Sequence, residues 1–221
     1  GLPVGRLICA SNENKVLADF FETGVYDINR PFYMTEAPSM DILISSNFER
    51  FLYYLTGSAE QVRESMDKLK KEGKYEVSKE AFAKADMEMM GGWASPEDMA
   101  HAMSEVYENY DYLMDPHTAV AYAVYDHLRR EGEIPRHSHT VIISTAHPYK
   151  FPGVVAKALG LKEMESPYDT LREIADKTGI PVPKQLGELE NRPKRFMETV
   201  DRKDMADTIR SYADEICGSS H

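Results

Sequence analysis

Arg6-Leu7-Ile8-Cys9-Ala10, followed by Ser11-Asn12-Glu13-Asn14 and then by Lys15 to Gly24, is the stretch that decides the fold. A short apolar run bounded by turn-forming residues is what the inside of a parallel sheet demands, because both faces of such a strand are covered. The four polar residues end it. From Lys15 onward, Val16, Leu17, Phe20 and Phe21 recur at helical spacing, and Gly24 can stop a helix by adopting a left-handed conformation. Strand, polar loop and helix in that order predict an α/β protein.

Working outward, Asn29 to Ser39 holds two prolines and little periodicity, which predicts a loop. Asp41 to Thr56 resumes helical spacing through Ile44, Phe48, Phe51, Leu52 and Leu55, and Ser58 caps a polar helix that Gly73 terminates. Tyr75-Glu76-Val77 reads as a short strand, and Lys79 to Met90 as a helix closed by Gly91-Gly92. Ser95-Pro96-Glu97-Asp98 is a strong helix start: a capping hydroxyl, a proline in the first turn and two acids against the helix dipole. Asp115-Pro116-His117 repeats the device ahead of the stripe Val120, Ala121, Val124 and Leu128, which Gly132 ends. Thr140-Val141-Ile142-Ile143-Ser144-Thr145 is β-branched almost throughout and predicts a central, buried strand. A helix over Gly153 to Leu159 and an acidic, mostly helical remainder follow.

The expected architecture is a few parallel strands flanked by many helices, forming a single partial domain over 1–221 with a helical insertion at about 58–114 and a helical tail at about 161–221. Two or three strands cannot make a doubly wound sheet, so further strands are expected from outside this stretch. Gly1 leads almost at once into an apolar run, as though the sequence began in the middle of something.

Composition narrows the function. Hydrophobic residues at 42% and charged residues at 29% suit a globular chain, and a net charge of −11 argues against binding nucleic acid, which relies on a basic stripe. No run approaches the ~20 apolar residues of a membrane span, and no signal peptide opens the sequence. A soluble, cytoplasmic protein with Cys9 and Cys217 reduced is the expectation.

Ligands of open α/β sheets bind at the carboxyl ends of strands. That singles out Ser11-Asn12-Glu13-Asn14 and Ser144-Thr145-Ala146-His147, although either could be a capping loop. His137, His139 and His147 invite a metal site, but the first two precede a strand that the third follows, so none is expected. Met87, Met89, Met90, Met99 and Met103 read as core packing, and Lys15, Lys150 and Lys157 as ordinary lysines. No phosphate-cradling glycine loop and no serine nucleophile elbow is present.

Taken in order, Leu2 to Asn14, Pro38-Ser39-Met40-Asp41-Ile42, Ser46-Asn47-Phe48-Glu49-Arg50, Asp115 to Tyr122 and Ser144 to Phe151 resemble the C-terminal half of a bacterial threonine synthase. The resemblance implies the type II fold of pyridoxal-phosphate (PLP) enzymes, with the cofactor between two α/β domains, and the conversion of O-phospho-L-homoserine and water to L-threonine and phosphate. The family's Schiff-base lysine, its carboxylate-gripping loop and its cofactor-phosphate loop lie before the point matching Gly1. On this resemblance the stretch contains no catalytic residue, and alone it is expected to bind no PLP and to be inactive. It places Thr145, helped by Ser144, at the pyridine nitrogen of the cofactor. It sets Ser11, Asn12 and Asn14 toward the cofactor ring or substrate, brings His117 to the site, makes Lys150 a phosphate contact, and puts Asp41, Asn47 and Arg50 at the mouth. The expected partner is the N-terminal half of the enzyme; sheet surface left open without it is expected to drive self-association. The competing reading is a non-catalytic, acidic helical interaction module on the same scaffold.

Overall fold

The structure is a computed structural model that describes residues 3–195 and 197–218. Its first strand, β1 (Leu7–Ser11), is followed by α1 (Val16–Thr23) and β2 (Val25–Asp27). Then come α2 (Phe48–Thr56), α3 (Ala59–Glu72), β3 (Lys74–Glu76), α4 (Lys79–Glu88) and β4 (Met89–Trp93). The chain continues through α5 (Pro96–Tyr110), α6 (Pro116–Glu131), α7 (Pro152–Ala158), α8 (Pro167–Thr178), α9 (Lys184–Gly187) and α10 (Met205–Gly218).

β1 and β4 pair in parallel, Leu7 opposite Met89 and Ser11 opposite Trp93. Successive residues of a strand face opposite sides, and β4 carries a glycine on each. A Cβ on Gly91 would meet the backbone of Ala18 in α1, and one on Gly92 would meet Val124 in α6. The two glycines therefore let α1 and α6 close on opposite faces of the strand pair. The α6 side joins the larger core, in which Met99, Met103, Val120, Val124, Val155 and Ile174 are buried. The α1 side joins a second core built on Phe20, Tyr26, Phe48 and Leu52.

β2 and β3 form a separate antiparallel pair with Tyr26 opposite Tyr75, their rings stacked at 5.3 Å and 8°. The Tyr26 hydroxyl donates to the Leu43 carbonyl (3.0 Å) and accepts from the Ser45 amide (2.9 Å), whereas the buried Tyr75 hydroxyl has no partner. Burial pushes the Tyr75 phenol far above its ordinary pKa. An unpaired buried hydroxyl is costly, so Tyr75→Phe is expected to leave the protein as stable or more stable by about 1 kcal/mol. A fall in the urea midpoint would show that the hydroxyl has a partner after all.

The helix starts follow the sequence. Ser95 and Asp98 form a reciprocal capping box, the Asp98 amide donating to Ser95 Oγ (3.1 Å) and the Ser95 amide to Asp98 Oδ2 (3.0 Å). Hydrogen bonds from the Ser95 side chain and then from its amide hold the Asp98 carboxyl below its ordinary pKa. Asp115 caps α6, and Gly132 ends it with φ 85°.

Four sequence expectations are corrected. Thr140 to Thr145 forms no strand among the described residues, and Val141 and Ile143 are 81% and 70% exposed. β-Branched composition supplies strand propensity, but a strand also needs a neighbour to exchange hydrogen bonds with, and no described strand pairs with this segment. Gly91-Gly92, read as a helix stop, lies inside β4, because the glycines serve the close approach of helices rather than a cap. The helix expected from Asp41 begins only at Phe48, since Asp41 is spent holding the preceding loop, as described below. β1 is half-exposed rather than buried, because β4 is its only partner among the described residues. The stretch at 58–114 also contains β3 and β4 besides its helices.

Both cysteines are free, and burial pushes the Cys9 thiol up to about 11. Among the described residues no helix is long and apolar enough to cross a membrane, and no cluster of three metal-ligating side chains occurs.

Candidate functional site

The loop leaving β1 is held by a closed polar network. Asn12 Nδ2 donates to Asp41 Oδ1 (2.7 Å) and Thr35 Oγ1 (2.9 Å), while Asn12 Oδ1 accepts from the Asn14 amide (3.0 Å) and Asn14 Nδ2 (3.1 Å). Asn14 in turn brackets Tyr33, accepting from its amide and donating to its carbonyl, both at 2.9 Å. Asp41 also accepts from the Thr35 amide (2.9 Å) and hydroxyl (2.8 Å). Asn12 and Asn14 are 3% and 1% exposed. Buried polar groups need partners, and these have found theirs within the chain. The two asparagines, expected to face a ligand, are thus clamps that fold the loop at 33–41 back onto the carboxyl end of β1.

A second network sits at the start of α6. Asp115 Oδ1 accepts from the His117 amide (3.0 Å) and lies 2.9 Å from His117 Nδ1, and Asp115 Oδ2 accepts a short hydrogen bond from Thr118 Oγ1. His117 Nε2 accepts from the Ser39 amide (3.0 Å), so that nitrogen carries no hydrogen and the ring proton is on Nδ1, directed at Asp115. Thr118 Oγ1 is 3.2 Å from Ser144 Oγ. Asp115, His117 and Thr118 are buried, and Phe151 packs edge-on against the imidazole at 4.9 Å.

Through Ser39 the two networks are joined. His117 therefore has both ring nitrogens engaged; it ties the loop of the first network to α6 rather than presenting a free imidazole. Ser11 ends β1 half-exposed, its carbonyl accepting from the Ala94 amide (3.0 Å). Ser144 and Thr145 are exposed, as is Lys150 in the 3-10 turn Pro148–Lys150. Asn47 and Arg50 are exposed at the start of α2, outside both networks. Asn12, Asn14, Asp41, His117 and Ser144 are thus brought into one connected system, and Asn47, Arg50 and Lys150 are not.

Thr35, Ser39 and Thr118 belong to the system but were not singled out by sequence. For Thr118 a signal exists: it stands three residues after the Asp115 cap, where a side chain turns back toward the cap. A groove of about 200 Å³ opens elsewhere, between α5 and α6, lined by Trp93, His101, Tyr122, His127 and Arg130 among others. It contains none of the sequence-predicted site residues.

The fold defines the class: an α/β unit that matches part of the type II PLP-enzyme fold. Yeast threonine synthase superposes with a TM-score of 0.80 at 30% identity, over 97% of this chain and 43% of that one. The PLP-bound threonine synthase of Brucella melitensis gives 0.70 at 32% identity, over 89% and 38%.

Sequence comparison points to the same enzymes. The family model "Threonine synthase, C-terminal" matches residues 118–211. Threonine synthase of Pseudomonas aeruginosa is 38% identical over 159 residues, covering 72% of this chain and 33% of that protein. Human threonine synthase-like 1 is 36% identical over 166 residues, covering 74% and 22%. In sequence and in fold the chain is similar to the C-terminal portion of threonine synthases. It spans about a fifth to a third of the length of these two relatives.

Proposed function

We propose that this chain forms one wall of the PLP site of a threonine synthase that makes L-threonine and phosphate from O-phospho-L-homoserine and water. The observation that carries the reading is the match of sequence and fold to the C-terminal portion of these enzymes, with the Ser144-Thr145 hydroxyls exposed beside an ordered, buried network. Neutral hydroxyls are a donor set that suits a pyridine ring, so the residues present fit the part of the cofactor they would hold: Thr145 and Ser144 at the ring nitrogen.

PLP, when bound, supplies an electron sink for carbanions formed on the substrate. The chain's own residues position and exclude. Asn12, Asn14, Asp41 and His117 fix the loop and helix start that frame the two hydroxyls. Lys150 offers a positive group for a phosphate, and Asn47 and Arg50 line the mouth. The lysine that moves protons, and the loops that grip the cofactor phosphate and substrate carboxylate, come on this reading from the N-terminal portion. Docking of that portion would cover Val141, Ile143 and the open side of β1, the surface through which an uncomplemented chain would self-associate.

The chain alone is expected to show no aldimine absorbance with PLP and no threonine formation, and both are expected when it is co-expressed with the N-terminal portion of a threonine synthase. Threonine production by the chain alone, with a PLP adduct fixed by borohydride, would overturn the division of labour. Absence of both signals from the complemented enzyme would overturn the reading itself.

A further inference from the structure

We infer that α10 is a strap that lays an apolar stripe onto the N-terminal portion of the enzyme, a docking surface separate from the open side of β1. This rests on the threonine synthase reading above, which supplies that partner.

The helix is amphipathic along its length. Met205, Ile209 and Tyr212 recur at intervals of four and three residues, and Ile216 continues the spacing, so these side chains line one face. Asp207, Arg210, Ser211 and Asp214 occupy the opposite face, where Arg210 Nη1 pairs with Asp207 Oδ1 at 2.8 Å. Ala206 and Ala213 flank the stripe and are small enough to let another backbone come close. Yet none of the described residues of α10 is buried, and Met205 and Ile209 are 51% and 63% exposed. A helix of 14 residues is marginal in water unless its apolar face is packed. The Tyr212 hydroxyl donates to Glu198 Oε2 (2.8 Å), which tethers to the helix the stretch that carries the exposed Met197. An apolar surface of this kind, rimmed by polar residues, marks an interaction site.

The comparisons and the charge select the occupant. The family model runs to residue 211, into α10, and the yeast enzyme superposes over 97% of this chain, so the helix is an element shared with intact threonine synthases. That match takes up only 43% of the yeast chain, which leaves more than half of such an enzyme to supply a covering surface. A second copy of this chain fits less well. A stable interface between separate chains buries about 1,200–2,000 Å², more than about four turns of one helix laid on another can offer. Two chains of net charge −11 also repel each other. The N-terminal portion meets α10 and the open side of β1 together, and two linked contacts reinforce one another.

The test titrates this chain with the N-terminal portion of a threonine synthase, reading affinity and the hydrogen exchange of the α10 amides. Those amides are expected to exchange at least about tenfold more slowly in the complex, because a fraying helix becomes a packed one. Ile209→Asp is expected to weaken binding by at least about tenfold, since it sets a charge in an apolar contact. Ile209→Leu, and Ser211→Asp on the opposite face, are expected to bind as the unsubstituted chain does. With no residue of α10 buried, Ile209→Asp is expected to leave the urea midpoint of the chain alone unchanged. A fall in that midpoint would mean that the stripe packs within this chain, and would overturn the proposal. So would an affinity unmoved by Ile209→Asp, or α10 exchange unslowed in the complex; loss of a homodimer in their place would assign the stripe to a second copy. Failure of the unsubstituted chain to bind the N-terminal portion at all would instead overturn the threonine synthase reading beneath it.

Discussion

Asp115→Ala is expected to destabilise the protein by about 4 kcal/mol. Loss of a helix cap costs roughly 1 kcal/mol, and each buried donor left without an acceptor costs about 1–3 kcal/mol. Asp115 serves three donors, the His117 amide, His117 Nδ1 and Thr118 Oγ1, but the small cavity left by alanine admits water or lets Thr118 turn, so the losses do not add in full. Asp115→Asn keeps one acceptor oxygen and is expected to cost about half as much. Urea unfolding measures both. The more specific sign is remote: the Ser39 amide donates to His117, so its hydrogen exchange should accelerate when Asp115 no longer orients the imidazole. A cost under ~1 kcal/mol, or an unchanged Ser39 amide, would mean that Asp115 is a cap and not the hub of a network.

Gly91→Ala is expected to be worse tolerated than Gly92→Ala, although the clashes look alike on distance alone. A Cβ at Gly91 would lie 2.5 Å from the Ala18 carbonyl oxygen and 2.8 Å from its Cα, so α1 itself must retreat. That helix buries Val16, Phe20 and Phe21, and moving it loosens the second core; a cost of about 3 kcal/mol or more is expected, at the upper end for overpacking. At Gly92 the obstacle is Val124 Cγ1 at 2.4 Å, a side chain that can rotate, though valine is stiff at χ1. About 1–2 kcal/mol is expected there, and Val124→Ala should relieve most of it. Equal losses at the two positions, or no rescue by Val124→Ala, would refute the assignment of Gly91 to α1 and Gly92 to α6.

Local chemistry made much of the fold legible. Ser95, Asp98, Asp115 and Gly132 mark their helix ends because capping depends on residues adjacent in sequence. Whether a glycine pair ends a helix or lies in a strand depends on what approaches it, and Ala18 and Val124 are far from Gly91 and Gly92 in sequence. Thr140 to Thr145 shows the opposite failure: its composition declares a strand, and the pairing that would make it one is not supplied by any described strand. In the candidate site, sequence sets Asn12, Asn14 and His117 toward a ligand and Asp41 at the mouth, whereas the hydrogen bonds of the structure run among these residues and their neighbours. Sequence alone cannot show that the side-chain amides of Asn12 and Asn14 have already directed their hydrogens to Thr35, Asp41 and Tyr33.

The pairing of Leu7 with Met89 also sets an order of events during synthesis. A ribosome adds about 5–20 residues per second, so β1 waits several seconds before β4 has been made. In that interval α1, β2, α2, α3 and β3 are already complete, and Phe20, Tyr26, Phe48, Leu52 and Tyr75 can gather into their aromatic core without β4. The later half of the chain then adds to a base that is already formed, with α6 packing onto the face that Gly92 leaves open and α7 and α8 following it into the larger core.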